Sequence, residues 1–188
     1  MSAIRQYTAY GASLILTLLS CLSTNPAMAA DHDGLETETG IPNFEFVSRD
    51  LWRGAAPTPK ALDHLAEMGI KAVIDLRLSG PGVTKEKAQA RRLGLAYYHL
   101  PLGYGRPSES EVEKFLSLVN DPANQPVYVH CRYGADRTGT MIGIFRAVNQ
   151  GWDFRSAYKE MRMHHFKPWF GSMRRLVHTK CTGASPTI

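Results

Sequence analysis

One succession of residues limits the fold more than any other. The apolar run Pro126-Val127-Tyr128-Val129 leads into His130-Cys131-Arg132-Tyr133-Gly134-Ala135-Asp136-Arg137, and Thr138 to Asn149 follows with helical character. A buried strand must therefore hand over to a helix through the loop from Cys131 to Arg137. Such a loop collects inward-facing backbone N–H groups at a helix N-terminus, where the dipole adds partial positive charge. That field suits a phosphate dianion. A thiol at the floor of the loop feels the same field, which draws its pKa from ~8.5 toward roughly 3.5–7.5. The resulting thiolate is a competent nucleophile for phosphorus. Arg137 brings a planar fork for two phosphoryl oxygens, Gly134 lets the chain turn, and Thr138 can offer its hydroxyl to the sulfur.

His130, Cys131, Gly134 and Arg137-Thr138-Gly139 match the pattern H-C-x-x-G-x-x-R-T-G. The chain thereby resembles the cysteine-based protein tyrosine phosphatases, and its length is similar to the compact dual-specificity branch. Leu51-Trp52-Arg53-Gly54 with Pro57, Val73-Ile74-Asp75-Leu76-Arg77 and Gly151-Trp152 are similar to pieces of bacterial, exported members. The resemblance runs from Phe44 to Met163. It implies an α/β fold with a mixed, mostly parallel central sheet flanked by helices. It also implies hydrolysis of phosphate monoesters through a phosphocysteine on Cys131, with Arg137 at the phosphate and Arg132, Tyr133, Gly134, Ala135 and Thr138 around the substrate. Neither cofactor nor metal is expected. The implied substrate is a phosphorylated protein. A phosphoinositide or inositol phosphate is the alternative, because an aspartate before the loop arginine, here Asp136, also occurs in lipid-directed relatives.

The 188 residues divide by composition. Arg5, the apolar stretch Gly11 to Leu19 and Ala27-Met28-Ala29 read as the three regions of a signal peptide over 1–30, followed by a periplasmic or secreted mature chain. The apolar stretch is too short to span a bilayer stably. Residues 31–43 are expected to be a flexible lead-in, 44–181 the catalytic domain, and 182–188 a loose tail. About 158 residues suffice for one core, and a monomer is expected. Losing Arg5 lowers the formal charge from +5 to +4. That excess favours anionic substrates, but nothing interleaves aromatic with basic residues as nucleic-acid modules do. Cys131 and Cys181 remain, so export places a reactive thiol in an oxidising compartment.

Strands are expected at Phe44–Val47, Leu51–Arg53, Lys71–Leu76 and Leu95–Leu100. Helices are expected from Thr58-Pro59 to Met68, Thr84 to Leu93, Ser108 to Asn120, Asp153 to Met163 and Pro168 to Lys180. The region His99 to Ser108, where dual-specificity phosphatases usually carry a general-acid aspartate, has no carboxylate. Asp136 is the carboxylate that sequence places beside the phosphate, either as the missing acid or as a brace for the loop. Asp75 and Arg77 read as a structural pair and His130 as a loop brace. His164-His165 lack metal-ligand spacing, and Lys167, Arg174 and Arg175 read as a solvated face. A phosphate-binding pseudophosphatase, a sulfurtransferase and an arsenate reductase are the remaining rivals.

Overall fold

The structure, a computed structural model, describes residues 38–183. The expected signal peptide lies outside the described residues. Five strands form one sheet in the order β1-β2-β5-β3-β4. Strand β1 (Glu45–Ser48) runs antiparallel to β2 (Leu51–Ala55). The others, β3 (Ala72–Asp75), β4 (Ala96–His99) and β5 (Val127–Cys131), are parallel to β2 and to one another. The mixed, mostly parallel α/β sheet is therefore present, and the strand that ends in Cys131 occupies its centre.

Local signals set most helix ends. In α1 (Pro59–Glu67), Thr58 Oγ1 accepts from Ala61 N–H at 3.2 Å and Pro59 takes the first helical position. In α3 (Glu109–Asn120), Ser108 and Glu111 form a capping box. In α5 (Phe154–Met163), Asp153 Oδ1 accepts from Ser156 N–H at 2.7 Å. Three starts differ from expectation. Helix α2 (Pro81–Arg92) begins three residues before Thr84, because Pro81 is preset for a first turn. Helix α4 (Asp136–Gln150) begins at Asp136 rather than Thr138, which moves Asp136 and Arg137 into its first turn. Helix α6 (Gly171–Thr182) begins after Pro168, because Lys167 N–H bonds to Asp136 and Phe170 N–H closes a turn onto Lys167 O.

The sheet buries both faces. On one, Trp52, Val73 and Tyr128 pack with Leu62 and Leu65 of α1. On the other, Leu51, Ile74, Val129 and Cys131 meet Phe115 of α3, Met141 and Ile142 of α4, and Leu176 of α6. Each such Leu, Ile or Phe contributes on the order of 1.5–3 kcal/mol by leaving water. Helix α4 is buried from Arg137 through Arg146, as a helix enclosed by neighbours must be. The packed body starts earlier than Phe44: Ile41 is 1% exposed, and Asn43 is also buried. Asn43 bonds to the catalytic loop and Pro42 O accepts the Ala55 N–H, so this stretch is packed on the body. At the other end, Thr182 is still part of α6. No helix among the described residues is long and apolar enough to cross a membrane.

Candidate active site

Cys131 ends the central strand and is 2% exposed. The residues after it turn into α4, whose N-cap residue Ala135 supplies no side-chain capping bond. The first N–H groups of α4 therefore remain available to an anion. Gly134 has φ +67°, and a Cβ there would lie 2.5 Å from Gly54 C and 2.6 Å from Gly54 O. Those neighbours are backbone and cannot yield. The loop is seated on the end of β2, and only glycine fits the seat.

The loop carbonyls are held from outside. Ala56 N–H donates to Arg132 O at 3.4 Å, Asn43 Nδ2 to Tyr133 O at 2.8 Å, and Arg53 Nη2 to Gly134 O at 2.7 Å. Arg137 Nη1 donates to Leu76 O at 3.3 Å and Leu102 O at 3.4 Å, which aims the guanidinium from the far side. The ring of Tyr104 lies 5.1 Å from the Arg137 guanidinium carbon.

Arg132 and Tyr133 point outward, as expected of groups at the mouth. Tyr133 is 57% exposed, with the Arg132 guanidinium carbon 5.1 Å from its ring centre. They border a cleft of about 470 Å³ that Ala135, Asp136, His165 and Lys167 also line. Asp136 Oδ1 accepts the Lys167 N–H at 2.8 Å, so this carboxylate ties α4 to the segment before α6. Its Oδ2 has no hydrogen-bond partner among the described residues. Thr138 does not make the expected bond: its buried hydroxyl has no hydrogen-bond partner among the described residues. Of the three basic residues read as a solvated face, Lys167 reaches the cleft. Arg174 and Arg175 border a separate depression with Phe154, Tyr158 and His178.

His130, fully buried, faces the opposite side of the sheet. Its Nε2 is 2.8 Å from Glu86 Oε1, a charge contact not aligned as a hydrogen bond, and its Nδ1 is 3.4 Å from Cys131 O. Arg77 joins the group through Nη2, 2.7 Å from both Asp75 Oδ2 and Glu86 Oε2. Burial raises the Asp75 carboxyl, but hydrogen bonds from Arg77 and Tyr97 and the nearby His130 outweigh it and hold the pKa below the usual range. Asp75, Glu86 and His130 are close enough to gather a metal. The Arg77 guanidinium already sits on both carboxylates, however, and a cation would have to displace it. The Asp75–Arg77 pair is thus the structural lock expected of it.

The segment from Leu100 to Ser108 brings no carboxylate to Cys131. Glu109, the next candidate, is bonded to Lys180 and Arg106, and chiefly the Lys180 bond holds its pKa down. It remains an anion on the surface. Sequence reasoning missed Asn43, Tyr104 and His165 as site residues and gave Arg53 no role. Only the recurrence of Arg53 within the Leu51–Gly54 resemblance hinted at it.

Residues 36–175 match the model of a family described as DSP-PTPase phosphatase fused to NAD+ kinase. A curated relative, the dual specificity protein phosphatase TpbA of Pseudomonas aeruginosa, is 29% identical over 121 residues. That match covers 64% of this chain and 53% of TpbA, so the chain spans about half the length of that relative. The catalytic core of the PP-IP phosphatase SIW14 from S. cerevisiae superposes with a TM-score of 0.65 at 26% identity, over 73% of this chain and 85% of that one. The crystal structure of P. aeruginosa TpbA superposes with a TM-score of 0.64 at 25% identity, over 78% and 86%.

Proposed function

We propose a function on the premise that this chain belongs to the DSP-PTPase phosphatases, the family it matches over residues 36–175. It is a cysteine-dependent phosphatase that hydrolyses phosphate monoesters. The observation that carries the reading is Cys131 at the end of the central strand, under the uncapped first turn of α4 that also holds Arg137. Cys131 Sγ attacks phosphorus, and the ester P–O bond breaks as the S–P bond forms. Arg137 holds two phosphoryl oxygens and stabilises the charge that develops on them. Water then attacks the phosphocysteine, releasing inorganic phosphate and the thiolate. Cys131→Ser is nearly isosteric but does not ionise usefully near neutral pH. It is expected to abolish turnover while retaining phosphate binding, and retained turnover would remove the phosphocysteine.

Asp136 gives the proton to the departing oxygen. Its place in the cleft and the free Oδ2 support that role. General acid catalysis is worth ~10²–10⁴-fold. Asp136→Asn should therefore cost most on alkyl phosphates and least on activated aryl phosphates. An equal loss on both would make Asp136 only the tie to Lys167.

The substrate is a phosphoprotein, as the name of TpbA suggests for that relative. One observation favours a second reading. The cleft places Arg132, Lys167 and His165 beside the loop, more polar groups than one phosphate needs. An inositol polyphosphate would use them, and the description of SIW14 as a PP-IP phosphatase is consistent with that. A phosphotyrosine peptide and an inositol polyphosphate, compared by kcat/KM, separate the two. The charged n-region, apolar stretch and Ala27-Met28-Ala29 support export to the periplasm or beyond. N-terminal sequencing of the exported chain should begin near Ala30 or Asp31.

A further inference from the structure

Two side chains outside the loop carry its geometry. In a planar trans peptide the C=O and N–H groups point in opposite directions. Asn43 Nδ2 holds the carbonyl of Tyr133 and Arg53 Nη2 holds that of Gly134. The N–H groups of Gly134 and Ala135 are thereby turned to the other side of the loop, where an anion seated on α4 requires them. Both holders occupy costly states. Asn43 is buried at φ +58°, a left-handed conformation that is uncommon outside glycine. Arg53 is fully buried, and its Nε and Nη1 have no hydrogen-bond partner among the described residues. An apolar residue would fill that position in the sheet without desolvating a charge. Local strain and under-bonded charge of this kind gather where function demands them.

We propose that Asn43 and Arg53 are positioning residues of the phosphate cradle. They aim the Gly134 and Ala135 N–H groups at the bound phosphate, and Arg53 adds a buried positive charge on the face of the sheet that carries Cys131. Arg53 pairs in register with Val129, two residues before Cys131 and therefore on its face. The other charged or titratable groups around Arg53 include Glu160 of α5, Glu45 of β1, Arg146 of α4 and His164 at the end of α5. Along its own strand and loop, Cys131 is flanked by His130, Arg132, Asp136 and Arg137. This inference rests on the phosphatase reading and extends it to residues that touch neither substrate nor sulfur.

The test uses the full chain with Asn43→Gly, Arg53→Lys and Arg53→Met. Asn43→Gly keeps the left-handed backbone and removes the donor to Tyr133 O. Inhibition by inorganic phosphate, kcat/KM on an aryl phosphate, thermal midpoint and the pH dependence of Cys131 alkylation by iodoacetamide are measured for each. The expected result for Asn43→Gly and Arg53→Lys is about tenfold or greater loss of phosphate affinity and of kcat/KM, with thermal midpoints close to the parent. Arg53→Met, which also removes the buried charge, should slow Cys131 alkylation at neutral pH, whereas Arg53→Lys keeps the parental rate. Parental phosphate affinity in both Asn43→Gly and Arg53→Lys overturns the proposal. So does a loss that follows thermal midpoint alone. If Arg53→Met does not fold, the other two variants decide. A parent chain that neither binds phosphate nor turns over would instead overturn the phosphatase reading.

Discussion

The charged groups buried on the two faces of the sheet are bonded very differently. On the His130 face, Asp75 accepts from Arg77 and Tyr97, and Arg77 also reaches Glu86. Asp75, Arg77 and Tyr97 are matched by hydrogen bonds, as a buried ion group needs to recover its desolvation cost, while Glu86 Oε1 and His130 Nε2 meet as a charge contact alone. On the Cys131 face, Arg146 is well bonded to Glu160, Gln150 and Val47 O. Arg53, beside it in the same electrostatic neighbourhood, makes one hydrogen bond among the described residues, to the catalytic loop. The first group locks β3, β4 and α2 under the loop. The second leaves a cation under-bonded where the nucleophile sits. Stability and chemistry are thus assigned to opposite faces, with Cys131 and His130, adjacent in sequence, pointing one to each.

Gly134→Ala should break this division most severely. A methyl group at that position meets the backbone of Gly54 and Ala55 at 2.5–2.7 Å, so the loop must lift off β2. Loss of the cradle donors is expected to cost at least about 100-fold in kcat/KM, and a kinetic comparison with the parent checks it. The next effect belongs to the other face. Asp75→Leu leaves Arg77 uncompensated on that side and should destabilise the fold by about 3–5 kcal/mol, read as a fall in the urea midpoint. Any folded fraction should keep phosphate affinity near the parent. A kinetic defect larger than the stability defect would show that the two faces are not separate.

The smallest effect is in pH dependence. Burial lowers the His164 pKa despite its contact with Glu45, so the unfolded chain takes up this proton before the folded one. Stability from His164 is complete above ~6.5 and declines as pH falls below that. Asp75, held low, contributes fully above ~3.9 and loses its contribution only under stronger acid. Urea midpoints measured from pH 7.5 to 5 should therefore fall in the parent and less steeply in His164→Gln. Equal slopes would remove His164 from the account.

What the sequence determined lies close along the chain. Thr58, Ser108 and Asp153 each cap a helix through a group three residues away, and the strand–loop–helix around Cys131 is written in consecutive residues. The apolar stretches likewise indicated a largely parallel sheet with helices on both faces. Tertiary structure decided the rest, because the groups that complete the site are distant in the chain. Asn43 and Tyr133 are 90 positions apart, and Arg53 and Gly134 are 81. Asp136 holds the Lys167 N–H across 31 positions, and the chain from Lys167 to Phe170 closes a turn before α6 can begin. A cap is fixed by the few residues that form it. The direction of a peptide N–H inside a loop depends on what bonds to the carbonyl behind it, and that donor is chosen only when the sheet assembles.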